Sequence, residues 1–80
     1  MAVEYYLTFY DLPFGYYGIA FDCFGIMEDV VLLKSDIAQW CDENNIEYRT
    51  EISHPLFNGY KFEVVLQEYE AVVAFKLRWA

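Results

Sequence analysis

Eighty residues make one small domain, 58% hydrophobic and 21% aromatic, with thirteen acids, five Lys or Arg and a net charge of −8. A chain this acidic repels nucleic acid and acidic membranes and attracts basic partners, and its aromatic content separates it from disordered acidic tails. No stretch approaches the ~20 apolar residues of a membrane span: the longest uncharged run, residues 12–21, is ten residues long and contains Pro13, Gly15 and Gly18.

The charge is unevenly placed. Up to Tyr48 there are nine acids against Lys34 alone, whereas from Arg49 onward four acids face four bases. The entire net charge therefore belongs to the first 48 residues. The start of the chain lacks the basic n-region of a secretory signal. Two cysteines, Cys23 and Cys41, make neither a C-x-x-C pair nor a disulfide framework, so a reducing cytoplasm is the simplest expectation.

Residues 3–10 alternate, with Val3, Tyr5, Leu7 and Phe9 on one side and Glu4, Tyr6, Thr8 and Tyr10 on the other. That period of two predicts a half-buried strand. Residues 11–15 hold Pro13 and Gly15 and read as a turn. Residues 16–24 form a second strand, ended by Gly25, and the two strands make a hairpin.

The one helical pattern comes next. Ile26, Val30, Leu33, Ile37, Trp40 and Cys41 fall within about 100° on a helical wheel. Asn44 and Asn45 make a stop. A helix starting near Glu28 keeps that stripe continuous and is the reading preferred here. The alternative is a helix capped by Ser35 after a short strand.

From Ile46 the period returns to two, with Ile46, Tyr48, Thr50 and Ile52 alternating with polar residues. A loop over residues 53–59 carries Pro55 and the turn pair Asn58-Gly59. Tyr60, Phe62, Val64 and Leu66 mark a further strand. Val73, Phe75, Leu77 and Trp79, alternating with Lys76 and Arg78, predict a last one. The expected fold is a single α+β domain over residues 1–80: a mostly antiparallel sheet of about five strands in the order ββαβββ, with one amphipathic helix on one face.

The helix carries the clearest functional signal. Asp29, Asp36 and Glu43 recur every seven residues, about 10 Å apart along the axis, and Glu28 and Asp42 flank them. Glu47 follows just past the helix, and Asp22 is placed near its start. Ordinary surface helices interleave acids with bases four residues apart, but Lys34 is the only base here. Asp42 and Glu43 sit where the helix dipole disfavours negative charge. Tyrosines on the polar sides of strands, Tyr6, Tyr10, Tyr16, Tyr17 and Tyr69, are candidate anchors beside the acids. The candidate partner-binding set is thus Glu28, Asp29, Asp36, Asp42, Glu43, Glu47, Asp22, Tyr16 and Tyr17.

Catalytic and cofactor signatures are not found. There is no G-x-x-x-x-G-K-[ST] or G-x-G-x-x-G loop. His54, the sole histidine, sits in a Ser-His-Pro loop with no local partner for Cys23 or Cys41. Neither Glu28-Asp29 nor Asp42-Glu43 has calcium-loop spacing. The expectation is a binding protein rather than an enzyme, with no metal or cofactor. Its partner is expected to be a basic, nucleic-acid-binding protein held by charge-assisted hydrogen bonds; direct nucleic-acid or membrane binding is not expected.

In size and charge the chain resembles the small phage-encoded proteins that block host defence, such as anti-CRISPR and anti-restriction proteins. That resemblance implies an inhibitor, acting in the host cytoplasm, that imitates nucleic acid. The alternative reading is a structural or adaptor domain, monomeric or homodimeric through an aromatic sheet face or through residues 72–79 as an edge strand.

Overall fold

The computed structural model describes residues 3–51 and 54–80. Strand β1 (Glu4–Asp11) and strand β2 (Tyr17–Phe24) form the expected hairpin, closed by a 3-10 turn over Pro13–Gly15. Phe14 and Gly15 both take positive φ there, at 64° and 80°. Helix α1 (Met27–Glu43) follows, then β3 (Tyr48–Thr50), β4 (His54–Leu56), β5 (Gly59–Leu66) and helix α2 (Tyr69–Trp79).

The five strands form one antiparallel sheet in the order β1-β2-β5-β3, with β4 also pairing with β5. Alternation sends Ile19, Phe21 and Cys23 of β2, and Phe62, Val64 and Leu66 of β5, to one face. Both helices pack on that face. Val30, Leu33, Ile37 and Cys41 come from α1, and Val72, Phe75 and Trp79 from α2. Phe21 is the hub: its ring lies 4.8 Å from Phe62 in a near-parallel stack, 5.3 Å from Tyr5 and 5.8 Å from Phe75 edge-on. Ring pairs in these arrangements add about 0.5–1.5 kcal/mol each beyond the area they bury.

The longer helix is the one that forms. It starts after Ile26 without a side-chain cap, Glu28 and Asp29 occupying the first turn, where the dipole favours them. Ser35 is exposed in mid-helix and caps nothing. The two asparagines end it. Asn45 takes φ 55° while the Ile46 N–H reaches the Cys41 carbonyl at 2.9 Å and the Asn45 N–H reaches Asp42 at 3.3 Å. This pair of bonds is a Schellman motif, with asparagine in the left-handed position glycine usually fills. The Asn44 amide adds a bond of 2.8 Å to the Trp40 carbonyl.

Two elements differ from the pattern-based expectation. The predicted last strand is helix α2, so residues 72–79 form no edge strand. The same residues satisfy both periods: Val72, Phe75 and Trp79 are spaced for a helix and are the ones buried. Glu70 in the first turn and Lys76 and Arg78 in the last match the dipole. The fifth strand is instead β4, inside the segment expected to be a loop. Ile52 and Ser53, assigned to strand and loop by pattern, lie outside the described residues.

The helices divide the sheet between them. Over the β1–β2 side, α2 places Lys76 on the Phe9 ring (4.8 Å) and Tyr69 beside Tyr17 (6.0 Å). Tyr5 donates its hydroxyl to the Trp79 carbonyl at 2.8 Å. Helix α1 lies toward β5, with the Lys34 ammonium 5.3 Å from the Phe62 ring. Trp40 joins the two helices, edge-on to Phe75 and Trp79. Among the described residues the other sheet face carries no helix.

Candidate interaction surface

The burial of Val30, Leu33, Ile37 and Cys41 fixes how α1 is rotated, because residues three and four apart share a face. Glu28, Asp36, Asp42 and Glu43 are consequently exposed, and Asp29 is half-buried. Asp29 and Glu43 are fourteen residues apart, so the acidic stripe runs about 21 Å along the helix. The last turn holds Asp42 and Glu43 and no base.

At that end the tertiary structure extends the acidic surface. A notch of about 480 Å³ opens between the end of α1 and the start of α2. Glu47, Glu68 and Glu70 line it, with Asn44, Asn45 and Gln67. A smaller neighbouring cleft of about 130 Å³ shares Glu47 and Gln67 and is walled by Tyr16, Tyr48 and Arg49. Burial pushes the Tyr48 hydroxyl above its ordinary range, and the Asp42 carboxylate adds to that. Tyr16 and Glu47 thus share one cleft, at the end of the molecule where Asp42 and Glu43 lie.

Other candidates are held apart. Asp22 is half-buried on the helix-free sheet face, opposite Tyr6 and Lys61 in register, so the sheet separates it from the α1 acids. Tyr17 is half-buried on the helix side, beside Tyr69. Tyr6 and Tyr10 are on the helix-free face with Asp22; Tyr6 is 65% exposed, with its ring edge-on to Phe24. Glu68 and Glu70 are outside the sequence-based candidate set because the alternation from Val73 to Trp79 reads as a strand. Their spacing ahead of Val72, Phe75 and Trp79 was the available helix-start signal.

Cys23 and Cys41 are fully buried. Burial, with Asp22 or Asp42 beside each, pushes both thiols up to about 11, the direction of inert core cysteines rather than nucleophiles. His54 is exposed on β4, in register with Lys61. Among the described residues no three His, Cys, Asp or Glu side chains converge as a metal-binding group, and no helix is long and apolar enough to cross a membrane.

No protein-family model matches the chain, nor does any curated protein or any solved structure.

Proposed function

We propose that this chain is a small acidic inhibitor that occupies the nucleic-acid-binding surface of a basic protein. The observation that carries this reading is the run of acids along α1 into its C-terminal end, where Asp42 and Glu43 adjoin the notch lined by Glu47, Glu68 and Glu70. Acids at a helix C-terminus oppose the dipole by about 0.3–1 kcal/mol, and a partner's cations are what make that placement useful. The Lys and Arg that normally hold phosphates bind carboxylates through the same charge-assisted hydrogen bonds. The acids steer the encounter and set its register, while Tyr16 supplies aromatic contact area beside Glu47. The mechanism is competition: nucleic acid and inhibitor need the same basic groove, and no covalent step is involved.

The test is a pull-down from native host lysate, eluted in steps of rising salt. Release of a nucleic-acid-binding protein between about 0.1 and 0.5 M salt, where the screening length shortens sharply, supports the reading. Asp29→Lys, Asp36→Lys and Glu43→Lys together should abolish that capture with the circular dichroism unchanged. Capture that survives the triple reversal at low salt removes α1 as the binding face. A second reading, a structural or adaptor domain, draws its support from the helix-free sheet face with its exposed Tyr6 and Phe24.

A further inference from the structure

We infer that β1 pairs with β1 of a second copy of this chain, joining two sheets into one and packing the two α2 helices across the seam. In the sheet β1 bonds to β2 only, so its outer edge has no strand beside it among the described residues. Free edges are normally blunted by short length, Lys, Pro or a bulge. The opposite edge is treated that way: β3 and β4 have three residues each, with Arg49 on one and Pro55 on the other. Strand β1 has eight residues, five of them aromatic or leucine, an unbroken register with β2, and no Lys, Arg, Pro or Gly. It is the strand built to accept a neighbour.

The second observation comes from α2. Tyr69, Val73 and Leu77 follow at four-residue spacing and are 62%, 41% and 85% exposed. Trp40 of α1 meets Phe75 and Trp79, whereas Tyr69 meets Tyr17 and Lys76 covers Phe9. This apolar stripe therefore lies on the flank away from α1, on the β1 side. An exposed apolar row on a helix beside an open strand edge, with the Lys76 stem over Phe9 between them, is surface that a neighbour can cover.

The sequence of β1 is also self-complementary, which fits a second copy as the neighbour. Antiparallel partners across a two-fold axis must share a face, which requires positions of equal parity. An axis beside Leu7 sets Leu7 against Leu7 of the second copy, Tyr5 against Phe9, and Glu4 against Tyr10. Tyr5, Leu7 and Phe9 then meet only one another, Asp11 at the strand end meets Val3, and no two carboxylates are opposed. Moving the axis to Thr8 would set Tyr5 against Asp11. Leu7 lies between Phe9, under Lys76, and Tyr5, bonded to Trp79, so the C-terminal half of α2 runs beside the axis. The α1 acids lie on the far side of α2 from the seam, and the repulsion between two copies of net charge −8 falls as salt screens it.

The experiment is mass by light scattering on the full chain from about 1 µM to 1 mM, the range in which a weak dimer assembles by mass action. The expected mass doubles from the 9.5 kDa of one chain. Val73→Glu should hold it at one chain with unchanged circular dichroism. Val31→Glu, the same added charge at a half-exposed valine on α1, should leave the dimer intact. Amide exchange gives a readout independent of variants: alternate amides of β1, those on its outer edge, should slow as wild-type concentration rises. A wild type that stays at one chain throughout overturns the inference and leaves the edge to a strand of some other protein. So does a dimer that persists in Val73→Glu, or one in which the β1 amides exchange at an unchanged rate.

Discussion

Tyr10 donates its hydroxyl to the Glu63 carboxylate across the width of β2, over the bare backbone of Gly18. Tyr10 opposes Gly18 in the hairpin, and Glu63 sits beyond on β5, in register with Ala20. Only small residues on β2 leave room for a ring to cross; a Cβ at Gly18 would lie 2.3 Å from it. The contact ties the outer strand to the third strand on the face that no helix covers.

Replacing Tyr10 by Phe should therefore cost about 1.5 kcal/mol in denaturant unfolding, the low end for a bond to a charged group because the contact is only partly buried. Burial first, then the bond to Glu63 and the charges of Glu63 and Glu51, push the Tyr10 hydroxyl up from 10 to about 12. The raised value means the folded state favours the neutral phenol. Its stabilising effect is complete below pH 10, where the unfolded chain also keeps it neutral, and is lost as pH rises through 12. The wild-type advantage over Tyr10→Phe should be flat to pH 10 and shrink above it. An advantage that instead grows with pH would contradict the contact.

At the end of α1 the acids carry a cost that substitution can expose. Asp42→Asn with Glu43→Gln should raise stability by about 0.5–1 kcal/mol, because neutral side chains relieve the unfavourable dipole. The same double variant should bind the captured partner more weakly. Stability gained and binding lost together mark a surface kept for function; a gain in stability with unchanged binding would make these two acids ordinary solvent residues.

Cys23 and Cys41 should resist alkylation at pH 8 in the native protein, being buried with thiols pushed up to about 11. Both should label at the rate of global unfolding, since Cys23 is in the central sheet and Cys41 in α1, and one core holds the two. Faster labelling of Cys41 than of Cys23 would show that α1 opens alone.

Gly59→Ala should be the most damaging small change in the sheet. A Cβ there would lie 1.8 Å from the Cys23 carbonyl oxygen, so β2 and β5 would have to separate. A loss of about 3 kcal/mol, the upper end for overpacking, is expected in thermal or denaturant unfolding. A loss below about 1 kcal/mol would mean that the β2–β5 spacing yields readily.

Much of this architecture was legible because local pattern and tertiary demand agreed. Val3, Tyr5, Leu7 and Phe9 alternate, and all four are half-buried against the core. Val30, Leu33, Ile37 and Cys41 recur at helical spacing, and they are the residues α1 buries. The segment ending in Trp79 was ambiguous, since alternation and helical spacing fit it equally. Its state is decided by the sheet: α1 lies toward β5, and Tyr5, Leu7, Phe9 and Tyr17 on the β1–β2 side need a second cover.

By itself, then, the sequence determined an acidic α+β chain whose α1 sets five acids against Lys34, because charge counts and hydrophobic period are local properties. Which acids share a surface was decided only by the tertiary structure. Asp22 is close to α1 in the chain yet faces the other side of the sheet, since strand alternation sends it opposite to Phe21 and Cys23. Glu68 and Glu70 are more than twenty residues beyond α1 in the chain, yet they wall the notch at its end. Packing two helices on one sheet face places the start of α2 beside the end of α1, and no local period records that juxtaposition.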